Sequence, residues 1–451
     1  MTAAHDGDHG GDKGRPLTHR AVLGIAVPVV LSNLTTPLLG LVDTAVMGRL
    51  PDPKYIGAVA LGGLLFTFLY WAFGFLRMGT TGLTAQALGA DDAGELRATL
   101  GRALGIAGVA GMALILLQAP IGWAAFTLLE GTPEVEALAQ DYYAIRIWSA
   151  PAALANYALL GWFIGMQRAG TALVLQLILN GTNAGLDLLF VMGFGWEVEG
   201  VALGTLMAEV TAMVCGLVLA AAPLRRLAGS WSRAVLLDWP KIRRTVAVNR
   251  DIMIRTLFLM FGFAFFTAQA AAAGNVVLAA NAVLMQFVSL AAFFLDGFAF
   301  SAEALVGRAL GGRTRALLLQ AVRLSTIWSG GLAFGLAAVF ALGGGYFIDF
   351  LTVDAEVRSA ARIYLWWAVA LPPLSFACYQ LDGIFIGATH TREMRDASIA
   401  SLACFLAAWW LLLPFGNHGL WASLLIFNLM RGVLLGWFYP ALVRSVPVSA
   451  S

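Results

Sequence analysis

The chain reads as a succession of long apolar blocks cut at intervals by charged residues or by Gly/Pro breaks. The runs 106–117, 332–347 and 402–413 carry no charge, and each sits inside a longer charge-poor stretch. A helix rises 1.5 Å per residue and needs about 20 apolar residues to cross the hydrocarbon core, a length these blocks approach. Period-two alternation is missing, so helices and not barrel strands must satisfy the backbone in lipid. The blocks fall near 20–47, 56–88, 100–128, 135–165, 171–193 and 200–222, and again near 246–272, 276–306, 318–346, 357–387, 397–416 and 419–443. They predict an all-α integral membrane protein of about twelve transmembrane helices.

Composition strengthens that reading, since 60% of the residues are hydrophobic and only 12% charged, against about 25% charged in soluble domains. The net charge of +2 is too small to imply a nucleic-acid partner. Residues 1–20 mix His5, Asp6, Asp8, His9, Asp12, Lys13 and Arg15 with glycines, the texture of a disordered cytoplasmic tail and not of a secretory signal. Cys215, Cys378 and Cys404 stand singly in apolar segments, which leaves no disulfide framework and no CxxC-type metal site. Without a Walker sequence, an HExxH or a GxSxG, neither an ATP-driven pump nor an enzyme is expected.

With the N-terminus inside, the inner segments hold twenty lysines and arginines, among them Arg97, Arg225, Arg226, Lys241, Arg308 and Arg444, and the outer ones hold five: Arg49, Lys54, Arg146, Arg358 and Arg362. The positive-inside rule then places both termini in the cytoplasm of a multi-pass protein of the bacterial inner membrane. The expected organisation is a tail over 1–19, a first lobe over 20–222, a cytoplasmic linker over 223–245, a second lobe over 246–443 and a tail over 444–451.

The lobes are copies. Shifting the chain by 222 residues lays Ala87-Leu88-Gly89 on Ala309-Leu310-Gly311, and Pro151, Tyr157, Gly161 and Phe163-Ile164-Gly165 on Pro373, Tyr379, Gly383 and Phe385-Ile386-Gly387. Random pairing would match about one residue in fifteen. Six helices per copy is an even number, so the repeats are parallel, as in carriers that rock two lobes about a central cavity.

Ionisable residues inside the spans are the candidate chemistry. In the fifth span, Gln176, Asn180, Asn183 and Asp187 follow at spacings of four, three and four, which places them on one helix face. The first span carries Ser32, Thr36 and Asp43, and its Pro28 and Pro37 remove backbone hydrogen bonds and mark a hinge. Asp43 and Asp187 therefore stand as a carboxylate pair that exchanges H⁺, or a Na⁺ held with Asn183, for cargo. Structural pairing across a helix interface is the competing account. The second lobe offers Ser289, Asp296 and Glu303 at heptad spacing, with Asp382 near the inner end of the tenth span. Glu303 is expected to pair with Arg308, Glu209 is left open between roles, and Arg77, Arg255 and Arg431 are expected to partner acids or snorkel.

Val42-Asp43-Thr44-Ala45-Val46-Met47-Gly48, Asn183 with Asp187, and Asp382-Gly383-Ile384-Phe385-Ile386-Gly387 together resemble the multidrug and toxic compound extrusion (MATE) family, in its DinF-like branch, over roughly residues 18–443. The resemblance implies the MATE/MOP-type fold and a cation-coupled antiporter exporting amphipathic, often cationic compounds. It implies a first-lobe cation site at Asp43, Asn183, Asp187 and Thr205, with Asn156 a cavity neighbour. The NorM-like branch uses an acid in its seventh span; here that span has Asp251 and Arg255 only near its start, which favours the first lobe. Gln176, Asn180, Thr36, Asp296 and Asp382 complete the candidate cavity residues. No cofactor and no resident metal is expected, and H⁺ or Na⁺ is the coupling ion. The expected partners of a monomeric chain are an organic solute and the bilayer. A flippase for lipid-linked or polysaccharide precursors is the alternative within this superfamily.

Overall fold

The computed structural model describes residues 17–50, 52–128, 131–228 and 231–447; the side chains of Thr36, Leu38, Leu41, Asp43 and Thr44 lie outside that description. The same holds for most of the expected N-terminal tail and for the last four residues. Among the described residues every regular element is helical, and twelve long rods follow one another. They are α1 (His19–Met47), α2 (Lys54–Gly89, with a turn at Phe73-Gly74), α3 (Ala93–Leu116), α4 (Pro133–Gly165), α5 (Ala169–Gly193) and α6 (Val198–Arg226). After the linker come α7 (Trp239–Ala272), α8 (Asn275–Gly311), α9 (Arg315–Leu351), α10 (Ala355–Ala388), α11 (Thr391–Leu411) and α12 (Gly416–Arg444). Ten rods meet the length and apolarity of a membrane span; the others are α1, whose described apolar stretch is the shorter His19–Thr35, and α11.

Three local expectations change. The block at 100–128 is two helices, α3 and a separate Gln118–Leu128, because Pro120 is tolerated in the first turn of a new helix and not inside a continuing one. The eleventh helix starts earlier than read and ends at Leu411, where a single turn at Leu413–Phe415 and Gly416 at φ +55° redirect the chain. Arg146, counted among the outer residues, sits inside α4. Its guanidinium carbon stands 4.7 Å from the Phe66 ring centre and its Nη1 donates to the Tyr142 hydroxyl at 2.7 Å. An aromatic face and a phenol there take the place of water around the charge.

The duplication is visible in packing and in backbone. In the first half α1 packs on α5, α3 on α4 and α5 on α6; in the second, α7 packs on α11, α9 on α10 and α11 on α12. Among the described residues four non-glycines adopt positive φ, namely Asp91, Gln167, Arg313 and Thr389, and they form two pairs each 222 residues apart. The same tight turn therefore ends the same helix in both copies.

The halves meet along α8, which packs on α10 of its own half and on α1 and α2 of the other. At the end of the bundle nearest the linker, α2 and α8 cross so closely that a Cβ on Gly89 would strike the Arg308 carbonyl, and one on Gly311 the Gln86 carbonyl. These two contacts are symmetric under the 222-residue shift. Around them, Gln86 Nε2 donates to the Gly387 carbonyl at 2.9 Å, Arg244 donates to Gln86 Oε1 at 2.7 Å, and Arg308 donates to Gln167 Oε1 at 3.0 Å. The seam is thus sealed at the linker end. Small residues let helix backbones approach in this way without any hydrophobic drive between the helices.

Overpacking a close crossing costs about 1–3 kcal/mol. Gly311→Val is therefore expected to lower the thermal midpoint of the purified protein in detergent. Gly335→Ala, at a position with open space around it, leaves that midpoint unchanged, and equal midpoints for the two variants would refute the close crossing.

Candidate functional site

Two polar regions of the interior hold most of the candidate residues. The first is the column on α5. Asn180, Asn183 and Asp187 are buried, and Asp187 has no exposure at all. Gln176 Nε2 donates to Asn180 Oδ1 at 3.1 Å, and Asn180 Nδ2 donates to the Thr35 hydroxyl at 2.6 Å, which ties the column to α1. One turn on, Asn183 Nδ2 reaches Thr205 Oγ1 on α6 at 3.1 Å and Asp187 Oδ1 at 3.4 Å, while the Thr205 hydroxyl donates to the Val201 carbonyl at 3.0 Å. The α5 face read from spacing holds Asn183 and Asp187, and the structure sets them beside Thr205, the residue that the resemblance implied. Asp43 and Thr36, on the helix that packs beside it, have side chains outside the described residues, so their place in the cluster stays an expectation.

The backbone is shaped around Asp187. Directly after it α5 changes to a wider π turn, Leu188–Gly193, a local deformation that recurs at functional positions. Across from it, a Cβ on Gly204 would fall on the Asp187 carboxylate, so α6 approaches as only a glycine allows. Helix α1 runs without a break through Pro28 and Pro37.

The second region is a cavity of about 550 Å³ between the halves, within the usual range for small-molecule sites. Thr67, Trp71 and Met78 of α2 line one wall. The opposite wall is α8, where Ser289, Phe293, Asp296, Phe300 and Glu303 recur at spacings of four, three, four and three. That spacing is the signal by which sequence reasoning finds the stripe; the two phenylalanines belong to it although they escape a search for ionisable groups. Arg255, Tyr379, Asp382 and Arg431 close the cavity from α7, α10 and α12. A smaller space of about 160 Å³, lined by Ser32, Asn33, Tyr157 and Gln176, lies next to the α5 column. Phe300 borders both spaces and Arg77 lies over its ring at 3.6 Å.

The charges inside are distributed in a definite way. Asp382 Oδ2 accepts from both Arg255 and Arg431, as expected for those arginines. Glu303 does not pair with Arg308. Five residues along a helix turn through about 500°, which leaves the two side chains on different faces, and Glu303 instead meets Arg77 of the other half at 3.4 Å. Asn156, expected beside the cavity, turns toward α6, where its Nδ2 donates to Glu209 Oε2 at 2.7 Å and to the Glu209 carbonyl at 3.0 Å. Its partner is therefore Glu209, a pairing across helices that neither residue's own spacing reveals. Asp251 pairs with Arg250 and Arg395 near the linker end, so α7 adds no carboxylate to the cavity.

Known proteins match this arrangement across most of the chain. The MatE family model covers residues 28–189 and 252–409. DNA damage-inducible protein F of Escherichia coli is 42% identical over 418 residues, which span 92% of this chain and 91% of that protein. A probable multidrug resistance protein NorM of Rhizobium meliloti is 25% identical over 96% of both chains. The fold superposes with a TM-score of 0.84, at 18% identity and 97% coverage of each chain, on an outward-facing multidrug resistance MATE family transporter of the MOP superfamily. It superposes with a TM-score of 0.83 on a MOP superfamily transporter from Pyrococcus furiosus. With two parallel six-helix halves, a cavity at their seam and relatives that match end to end, this chain belongs to the MatE family of multidrug and toxic compound extrusion transporters, in its DinF-like branch.

Proposed function

We propose that the protein is a proton-coupled antiporter that exports amphipathic organic compounds, and that residues 20–222 and 246–443 rock against each other to expose the cavity alternately. The observation that carries this reading is Asp187, a carboxyl group with no exposure, set against Asn183 and Thr205 at the point where α5 leaves regular helical geometry. An acid so placed inside a bilayer is a functional group by default. The neighbours favour a proton over Na⁺: Asn183 presents its amide N–H, not its carbonyl oxygen, to the carboxylate, and the same amide nitrogen donates to the Thr205 oxygen. A metal ion would need oxygens turned inward. Asp43, on the adjoining helix, is the proposed partner acid.

Orientation follows from charge. With the linker in the cytoplasm, as the basic residues favour, the close crossing of α2 and α8 lies on the cytoplasmic side, which supports reading this state as outward-facing. Protonation of the acids in this state releases cargo outward; after the lobes rock, deprotonation inside readies the site again. Each unit charge crossing the field contributes about 2.3 kcal/mol per 100 mV, so one or two protons drive a steep solute gradient. The comparisons do not favour the flippase alternative, since several relatives that match along most of the chain carry the name probable multidrug resistance protein NorM.

Uptake of a fluorescent organic cation into inverted vesicles tests the coupling. An imposed pH gradient is expected to move the dye and an imposed Na⁺ gradient to leave it in place; the reverse result would transfer the site to Na⁺. Asp187→Asn is expected to abolish pH-driven transport with unchanged membrane insertion, and full transport by that variant would remove the site assignment. Gly204→Ala should act on the same group from the other helix. Its methyl displaces the carboxylate, so transport falls at least about tenfold while the detergent-solubilised protein elutes as a folded species; normal transport would show that the close approach of α6 is unimportant.

A further inference from the structure

The crossing at the linker end has two corners, and the 222-residue shift relates them. At one corner Gln86 of α2 meets Thr389, just past α10; the shift carries Gln86 to Arg308 and Thr389 back to Gln167, and these meet at the other. The first corner is filled. Arg244 of α7 donates to Gln86 Oε1 at 2.7 Å and to Thr389 Oγ1 at 3.0 Å, so one guanidinium bridges acceptors from both halves.

The second corner has the opposite character. A pocket of about 390 Å³ lies there, lined by Thr18 and Arg20 where α1 begins, by Gln167 just past α4, by Leu305 and Arg308 of α8 and by Leu317 of α9. None of the described residues that line it is an acid. Arg308 donates to the neutral Gln167 at 3.0 Å, and neither it nor Arg20 has an ion pair among the described residues. Gln167 Nε2 is buried and has no acceptor among them, a shortfall that native interiors rarely leave without a reason. The first turn of α1 adds the positive end of a helix dipole. Two cations that face one pocket repel, and an anion between them reverses the sign of that interaction.

We infer that this pocket is an oxyanion site, which takes the phosphate group of an anionic ligand between Arg20 of the first half and Arg308 of the second, with Gln167 as a further donor. Guanidinium forks match phosphate oxygens two at a time, and a phosphate has acceptors enough to face donors from several sides. Leu305 and Leu317 give the pocket an apolar wall for the body that carries the phosphate. A soluble phosphate compound and the headgroup of an anionic phospholipid share this chemistry. An anion held here does at the second corner what Arg244 does at the first, since it joins the two halves. A ligand that binds one arrangement of the halves more tightly shifts the population toward it, so occupancy holds the linker end closed. The binding stands apart from the efflux reading; its effect on transport rests on that reading.

The thermal midpoint of the full chain in phosphatidylcholine nanodiscs, with inorganic phosphate as probe and chloride at equal ionic strength as reference, gives the test. Phosphate is expected to raise the midpoint along a saturating curve, as a ligand of the folded state does. Arg308→Gln is expected to raise the half-saturating concentration about tenfold, the size of one charge-assisted contact. Arg20→Gln, at an exposed position, carries the same expectation should the first variant fail to fold. Gln167→Glu supplies a carboxylate of its own, so the midpoint rises without phosphate and the response to phosphate disappears. A rise that does not saturate, or that is equal in all variants, is the general stabilising action of phosphate on folded proteins and overturns the inference. A response that appears only once residues 1–16 are removed assigns the pocket to the chain's own tail and also overturns it. Nanodiscs that include phosphatidic acid decide the source: a raised half-saturating concentration there identifies the lipid headgroup, an unchanged one the soluble compound, and either supports the site. In inverted vesicles, whose bath meets the cytoplasmic side, phosphate is expected to slow pH-driven dye uptake by the unaltered protein and to spare Arg20→Gln; equal slowing in both overturns the joining of the halves. Dye uptake with no midpoint response to phosphate overturns the inference and leaves efflux intact. A saturating response in a protein that moves no dye supports the site and defeats the efflux reading.

Discussion

Hydrocarbon offers no partner to a charge or a backbone amide, so whatever polar chemistry this protein carries must be answered from within its own helices. That constraint accounts for the placement of nearly every ionisable side chain in the bundle interior. Asp382 lies between two arginines, Glu303 meets an arginine from the other half, Glu209 is bonded by Asn156, and Asp187 is set against Asn183. None of these is an isolated charge among lipid tails. Asp296, which lacks such a partner among the described residues, faces the central cavity.

The seam between the halves follows from the same economy of packing. Helices in lipid gain little from hydrophobic burial against each other, so their contact rests on close approach. At the linker end, glycines bring α2 and α8 within touching distance of each other's carbonyls, and polar bonds stitch the neighbouring turns. Toward the middle of the seam the contacts that cross it include Arg77 with Glu303 and Phe300, Asn33 with the Phe293 carbonyl at 3.1 Å, and Trp71 with Phe263. Discrete contacts of this kind can be exchanged as units when packed halves shift against each other.

Symmetry and its breaking divide the roles of the halves. The repeat keeps the helix pairings, the tight turns and the seam glycines, all of them backbone features. Side chains depart from it. The first half carries a polar column on α5, held by α1 and α6, whereas the second half sets charges around the cavity wall on α7, α8, α10 and α12. Duplication supplied two equal scaffolds, and the chemistry was then placed unequally on them.

Sequence by itself determined the number of membrane helices, the duplication, the polar face of α5 and the α8 stripe. These are periodic properties of a single chain segment, and a bilayer converts apolar length into span number almost without ambiguity. Helix ends near prolines were less legible: the break before Gln118 and the turn at Leu413–Phe415 depend on where a neighbouring helix lets the chain turn. Pairings between helices lay wholly beyond it. Nothing in the spacing of Glu303 indicates Arg77, 226 residues away, nor does Asn156 announce Glu209; such partners are fixed by how separate helices rotate and cross, which only the packed structure decides. The double engagement of Asp382 arises in the same way, from three helices brought together that no local pattern connects.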